Sequence, residues 1–464
     1  MFNFFCASEV GQKHAEKGLP NEDYASVVRI ADGIVFTCAD GHSDPLCFRS
    51  NIGAETVCKI AEKKLTGFCR ELKERHREND IFNDETAETH IRSLISQIFT
   101  EWREKTAVHL RNNPYTTQEL AVMEQKRRLG SVTIQAYDNN EELQCIYGTT
   151  FAAALLTDKY LLLLRQGDGV CSVMNANGCY EEPVPWDERC FGGISTSVGN
   201  EDAVASCRFA VIDIERNPVS AVFLGSDGIS EAFGENPGLV HSFFDSMILF
   251  GEENGDEALG RHLQEALPGL SANGIGGDVS VCGAYNADAV GKFNEKFQLR
   301  KKINTLTAQL EDAEIKAQSA ANSPMLRIYE RSSVNSKTAV ENAEKKYMEC
   351  RCELYSALCE AGLVANSCKV KHNSAVLTED NIASFDFDSI FPEALPEIFI
   401  DSDRYARCRR ALSLYGLSRT ELTLTQGIYK KNRAVYNDYT KKLTALTNEK
   451  NVLAARIAEL QKKL

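Results

Sequence analysis

One local pattern constrains this chain more than any other, and it occurs three times. An apolar, strand-like run ends on an aspartate beside a glycine. Val35-Phe36-Thr37-Cys38-Ala39 runs into Asp40-Gly41-His42, Leu161-Leu162-Leu163-Leu164 runs through Arg165-Gln166 into Gly167-Asp168-Gly169, and Val222-Phe223-Leu224-Gly225-Ser226 runs into Asp227-Gly228. A continuous apolar run needs cover on both faces, and glycine lets the backbone turn sharply where the run leaves the core. Each repeat therefore sets a carboxylate at the mouth of a packed sheet. Asp278 directly precedes a further strand-like run, Val279 to Tyr285, and Glu22-Asp23 precedes Ala25 to Ile30. Taken singly, Asp-Gly is a turn signal. Gathered at sheet ends, such carboxylates repel one another and resist joint ionisation. Divalent cations relieve that repulsion, and an all-oxygen donor set suits hard ions such as magnesium or manganese.

The remaining strand signals are Gly33 to Ala39, Ser131 to Tyr137, Phe151 to Leu156, Tyr160 to Leu164, Cys171 to Met174, Ala205 to Ile214 and Ser220 to Leu224. Many lie close together with short polar turns, as in Asn175-Ala176-Asn177-Gly178, which predicts antiparallel hairpins. Ile91, Leu94, Ile95, Ile98, Phe99 and Trp102 follow the spacing of one buried helix face. Ala54, Val57, Cys58 and Ala61 do the same behind Ser50, read as an N-cap. Further helices are expected near Val240 to Phe250 and Asp256 to Ala266. A helical pair, more strands and a second helical pair fit two packed antiparallel sheets, a β-sandwich flanked by helices in an α+β domain.

Composition changes near residue 290. Leu299, Ile303, Leu306, Leu310, Ala313, Ala317 and Ala320 alternate gaps of four and three, the spacing of a coiled-coil seam. A second seam, Leu443, Leu446, Lys450, Leu453, Ile457, Leu460 and Leu464, closes the chain with Lys450 as its one polar member. The expected organisation is a domain over 1–288 and an all-α tail over 289–464, with seams at about 297–322 and 420–464, helix over 334–361, and an unassigned middle at 364–402. The two seams can fold back on each other as an antiparallel hairpin, favoured here over a homodimer zipper or an external coiled-coil partner because each seam is short.

The chain has 464 residues, too many for one ordinary domain, and its net charge of -14 argues against nucleic acid and, more weakly, against an anionic membrane surface. No apolar run approaches a membrane span. The sixteen cysteines are scattered with no C-x-x-C pair, which reads as buried free thiols in a reducing, cytoplasmic setting.

In order along the chain stand Asn21-Glu22-Asp23, Ala39-Asp40-Gly41-His42, Gly148-Thr149-Thr150, Gly167-Asp168-Gly169, Ser226-Asp227-Gly228 and Gly277-Asp278-Val279-Ser280. This series resembles the metal-dependent type 2C serine/threonine protein phosphatases, in the bacterial branch, over residues 1 to about 288. The resemblance implies a β-sandwich flanked by helices, with a site for two Mn2+ or Mg2+ ions at one end and a phosphorylated protein as substrate. It implies that Asp40 bridges the ions, that Glu22 and the Gly41 carbonyl hold one, and that Asp227 and Asp278 hold the other. Asp168, with Asp227, is implied in a third, weaker ion, and Asp23 in orienting water. Attack on phosphorus is then direct, without a phosphoenzyme, and His42 protonates the departing oxygen.

Two positions depart from the family pattern. Where many members carry a phosphate-gripping arginine this chain has Gly18, with Lys17 and His14 the nearest replacements. Where the last motif usually has a first aspartate this chain has Gly277, so Asp278 serves as ligand only if the loop shifts by one residue. The alternative function is a catalytically weakened relative that signals through its tail.

Overall fold

The computed structural model describes residues 2–129, 146–191, 194–360, 368–369, 376–377 and 406–464. The chain divides into two compact units, Met1–Asn304 with Leu460–Leu464, and Thr305–Glu459. The first unit thus runs sixteen residues past the expected boundary at 288. The expected strand at Ser131 to Tyr137 and nearly all of 364–402 lie outside the described residues.

The first unit is built on two five-stranded antiparallel sheets. One has the order β2 (Tyr24–Ile30), β3 (Gly33–Ala39), β4 (Phe151–Leu156), β5 (Tyr160–Gln166), β8 (Arg208–Asp213). The other has the order β1 (Phe2–Glu9), β10 (Val279–Asn286), β9 (Val219–Gly225), β6 (Val170–Asn175), β7 (Tyr180–Glu181). Phe36, Cys38, Leu161, Leu163, Leu224 and Cys282 fill the space between the sheets. On the outer faces, α2 (Ser50–Glu74) and α3 (Asp84–Asn112) cover one sheet, and α7 (Pro237–Asn254) and α8 (Asp256–Asn273) cover the other. That double cover explains why β4 and β5 read as unbroken apolar runs, since every residue of both is buried.

The helices form where the periodicity puts them. The six apolar residues from Ile91 to Trp102 on α3 are all buried, a face worth roughly 10 kcal/mol at about 1.5–3 kcal/mol per side chain. Asn83 caps α3 by accepting from the amides of Glu85 and Thr86, and Asn236 caps α7 ahead of Pro237. The Ser50 cap is corrected. Ser50 is the first residue of α2, and Arg49 takes the capping position without a capping bond from its side chain. The strand expected from Ala205 is also shorter, because α5 (Ala203–Ser206) closes on itself through the Cys207 amide and the Ala203 carbonyl before β8 begins at Arg208.

Among the elements not anticipated, β1 and the helix after it bear on the site. β1 pairs with the whole of β10, from Phe2 opposite Asn286 to Glu9 opposite Val279. α1 (Gln12–Lys17) follows and ends at Gly18, whose φ of +66° is left-handed. A residue with a Cβ is strained there, which accounts for glycine where the family pattern has arginine.

In the second unit, α11 (Pro324–Glu360) and the part of α10 (Asn294–Ala321) beyond residue 304 pair with α12 (Ala406–Gln461). Cys408 Sγ meets the Ala357 carbonyl, the Tyr415 and Tyr347 hydroxyls lie 3.1 Å apart, Asn432 donates to the Ser332 carbonyl, and Lys450 pairs with Glu314. Residue numbers fall along α12 as they rise along its partner, so the helices run antiparallel within the chain.

Candidate metal centre

The register of the two sheets brings the acidic motifs to one end. Tyr24 lies opposite Ala39 and Val281 opposite Gly225, so the starts of β2 and β10 meet the ends of β3 and β9. Glu22, Asp23, Asp40, Asp227 and Asp278 all sit on those four strand ends.

Asp40 leaves β3 with its backbone held from below. Its carbonyl accepts from the Thr150 amide and the Thr149 hydroxyl, and its amide donates to Thr150 Oγ1. The His42 amide donates to the Gly148 carbonyl. The small Gly-Thr-Thr segment is thus a clamp beneath the Asp40–His42 turn. Asp227 opens α6 (Asp227–Ala232) at the end of β9. A Cβ on Gly228 would lie 2.2 Å from the Asp278 carbonyl oxygen, so only glycine lets the Asp227 turn approach the Asp278 loop this closely.

The electrostatics are those of crowded carboxylates. Asp40 is pushed well above the usual carboxylate range by withdrawal from water, and then by Asp227 and Asp23 beside it. Asp23 rises to about 7, chiefly through burial, with Ser226 opposing and Asp278 and Asp227 adding. Glu22 rises to about 7 through burial, with His14 opposing and Asp278 adding. Asp227 is raised by burial. Both Asp23 oxygens and Glu22 Oε2 are buried without a hydrogen-bond partner. Orphaned buried carboxylate oxygens are costly unless an ion or a proton satisfies them. The donors therefore fit a hard divalent cation in kind and in need. Among the described residues, no three acidic, histidine or cysteine side chains already converge as a ligand cage.

Asp278 is buried and points inward, but its oxygens face the protein. Oδ1 accepts from the Gly11 amide at 2.6 Å, and Oδ2 accepts from the Glu22 amide at 2.6 Å with His14 Nδ1 at 2.9 Å. His14 Nε2 lies 3.7 Å from Glu22 Oε2. His14, considered for the substrate phosphate, thus stands between two acidic groups. Lys17 is exposed on α1 and makes no ion pair among the described residues. Asp168 accepts from Ser195 Oγ at 2.7 Å and, with Asp227, lines a cavity of about 530 Å3. Burial lowers His42 below the ordinary histidine range, with Asp168 and Asp44 opposing.

One acidic group of the centre was missed in the sequence. Glu231 lies one turn after Asp227 on α6, lines the same cavity, and is raised to about 7 by burial, Asp227 and Asp168. Its spacing of four from Asp227 was the available signal.

The architecture is that of a helix-flanked two-sheet protein with an oxygen-rich, acidic centre at one end of the sandwich. The sequence matches the Protein phosphatase 2C model over residues 10–267, more than half of the chain. The chain belongs to that family of metal-dependent serine/threonine protein phosphatases. No curated protein matches it. Similar solved structures include the serine/threonine phosphatase Stp1 from Staphylococcus aureus, at 16% identity over 62% of this chain and 95% of that one, with a TM-score of 0.36. PppA from Pseudomonas aeruginosa gives 12% identity over 61% and 97%, with a TM-score of 0.36. The catalytic domain of PstP, in complex with two manganese ions, gives 16% identity over 61% and 97%, with a TM-score of 0.33.

The cysteines among the described residues are free thiols, and no helix there is long and apolar enough to cross a membrane.

Proposed function

We propose that this chain hydrolyses phosphoserine and phosphothreonine in proteins at the end of the sandwich, with two Mn2+ or Mg2+ ions held there. The observation that carries the reading is the crowding of the buried Asp23 with the partly buried Asp40 and Asp227 at neighbouring strand ends, each raised above the usual carboxylate range, with the Asp23 oxygens unpartnered. Asp40, Glu22, the Gly41 carbonyl, Asp227 and Asp278 would hold the two ions, and Asp168 with Asp227 a third. When bound, the ions supply charge for the phosphoryl oxygens and an acidified water.

The protein's own groups do the rest. Thr149 and Thr150 fix the Asp40 backbone, so its carboxylate is aimed before any ligand arrives. Asp278 and His14 hold Glu22, one through the backbone amide and one beside the carboxylate. Asp23 keeps an acceptor in the buried interior where a water can be oriented. His42 gives its proton to the seryl or threonyl oxygen as the P–O bond breaks, with Asp168 and Asp44 favouring the acid form against burial.

The test is phosphate release from a phosphothreonine peptide by the full chain. Turnover with added manganese, and none in excess chelator, is the expected result. Metal binding without turnover would instead identify the catalytically weakened relative acting through its tail.

A further inference from the structure

We infer that the helical hairpin of the second unit carries, on one outer face, a self-complementary surface through which two copies of this chain associate antiparallel. The inference does not depend on the proposed catalytic reading.

The buried side of α12 is already used within the chain. Ala411, Tyr415, Ser418 and Ile457 are buried, and Tyr415 meets Tyr347. On each helix, the residue just before a position on the buried side falls on a common outer face. Lys346 precedes Tyr347, Glu421 precedes Leu422, and their side chains pair at 2.7 Å. The same offset places Leu414, Leu417, Leu424, Ile428 and Val435 on that face from α12, and Ile328, which precedes Tyr329, from α11. Tyr329 packs on Tyr439 across the hairpin. These six apolar side chains are between 44% and 65% exposed. From Leu414 to Val435 they make a strip of about 31 Å at 1.5 Å per residue. Exposed apolar strips of this kind mark contact surfaces.

The order of residues along the strip identifies the occupant. Arg410, Leu414, Leu417, Glu421, Leu424, Ile428, Lys431, Val435 and Asp438 recur at helical spacing on the one face. A second copy laid antiparallel about Leu424 sets Leu424 on its own copy and Leu414 within a residue of Val435. It sets Arg410 opposite Asp438 and brings Glu421 within one turn of Lys431. Both charge pairs then occur twice, as an isologous interface requires. A face two helices wide and about 31 Å long buries roughly 1,200 Å2 over both copies, the lower end of what a specific interface needs. Among the described residues Asp438 holds only an exposed pair with Lys442, which leaves it able to turn toward Arg410 of the second copy.

The experiment is sedimentation equilibrium on the full chain up to ~100 µM, above the micromolar Kd expected for an interface of this size. The expected result is a monomer–dimer equilibrium. Leu424→Asp with Ile428→Asp should give monomer with helix content unchanged. Arg410→Asp alone and Asp438→Arg alone should each weaken the dimer at least tenfold, and the two together should restore it. A wild-type monomer at the highest concentration, a dimer that survives the Leu424 and Ile428 changes, or a double swap without recovery would overturn the inference.

Discussion

Replacing Asp278 by alanine separates two roles that look alike in an activity assay. A residue that serves only as a metal ligand adds like charge to the metal-free centre, so its removal leaves the metal-free fold unharmed or firmer. The structure makes Asp278 a strut as well, with its oxygens accepting from the amides of Gly11 and Glu22, both at 2.6 Å, across more than 250 residues of chain. Hydrogen bonds to a charged acceptor contribute about 1.5–3 kcal/mol each. Two of them, less the relief of repulsion from Glu22 and Asp23, predict a loss of about 2–4 kcal/mol in the metal-free variant. Denaturant unfolding in excess chelator reads this directly. The same variant should need at least tenfold more manganese for half activity, about 1.4 kcal/mol in binding, since the centre loses a proposed ligand and Glu22 its backbone anchor. A metal-free Asp278→Ala protein as stable as the parent would refute the strut, whatever happened to the manganese titration.

Three further outcomes follow. His42→Ala should slow hydrolysis of phosphoserine peptides by roughly a hundredfold or more, yet change para-nitrophenyl phosphate little, since that leaving group departs without a proton; equal losses on both substrates would remove the acid role. Glu22, Asp23 and Glu231 are each raised from ordinary carboxylate values to about 7. Their folded values exceed the unfolded ones, so the native state binds more protons between them and its stability falls as pH rises from about 4.5 to about 7. The melting temperature of chelated protein should fall across that window and manganese should raise it most above it; a profile that climbs instead would contradict the crowding. Arg300 grips Asp245 with two hydrogen bonds, 2.6 and 2.7 Å, and Tyr180 completes the buried cluster. A truncation after residue 290 strands Asp245 and should cost about 3–5 kcal/mol relative to one after residue 304, measurable by denaturant unfolding of the two fragments.

What was legible in the sequence is local. An apolar run ending on Asp-Gly needs only neighbouring residues to declare itself, so Asp40, Asp168 and Asp227 could be placed at strand ends before any fold was known. The six-residue face of α3 was readable for the same reason. The opposite holds for Asp278, whose partners Gly11, His14 and Glu22 stand at the other end of the chain. Their meeting depends on β1 pairing with β10, and β1 was overlooked because its apolar residues face two different cores. Phe5 and Ala7 pack toward the helices, and Phe2, Phe4 and Cys6 toward the second sheet. No single-face period marks such a strand. Gly18 likewise read as a missing arginine until its left-handed backbone showed that the end of α1 selects glycine. The expected boundary at 288 followed the change in composition, whereas Arg300 shows that the first turns of α10 still belong to the first unit.

The central claim is that the carboxylates gathered around Asp40 make this chain a metal-dependent phosphatase. The most direct measurement is phosphate release from a phosphothreonine peptide by the full chain and by Asp40→Ala, each titrated with manganese. The parent should be silent in chelator and active with manganese, and the variant should stay at least a thousandfold slower at any manganese concentration, a barrier difference of about 4 kcal/mol. Turnover by Asp40→Ala near the parent rate, or parent activity that persists in excess chelator, would contradict the account.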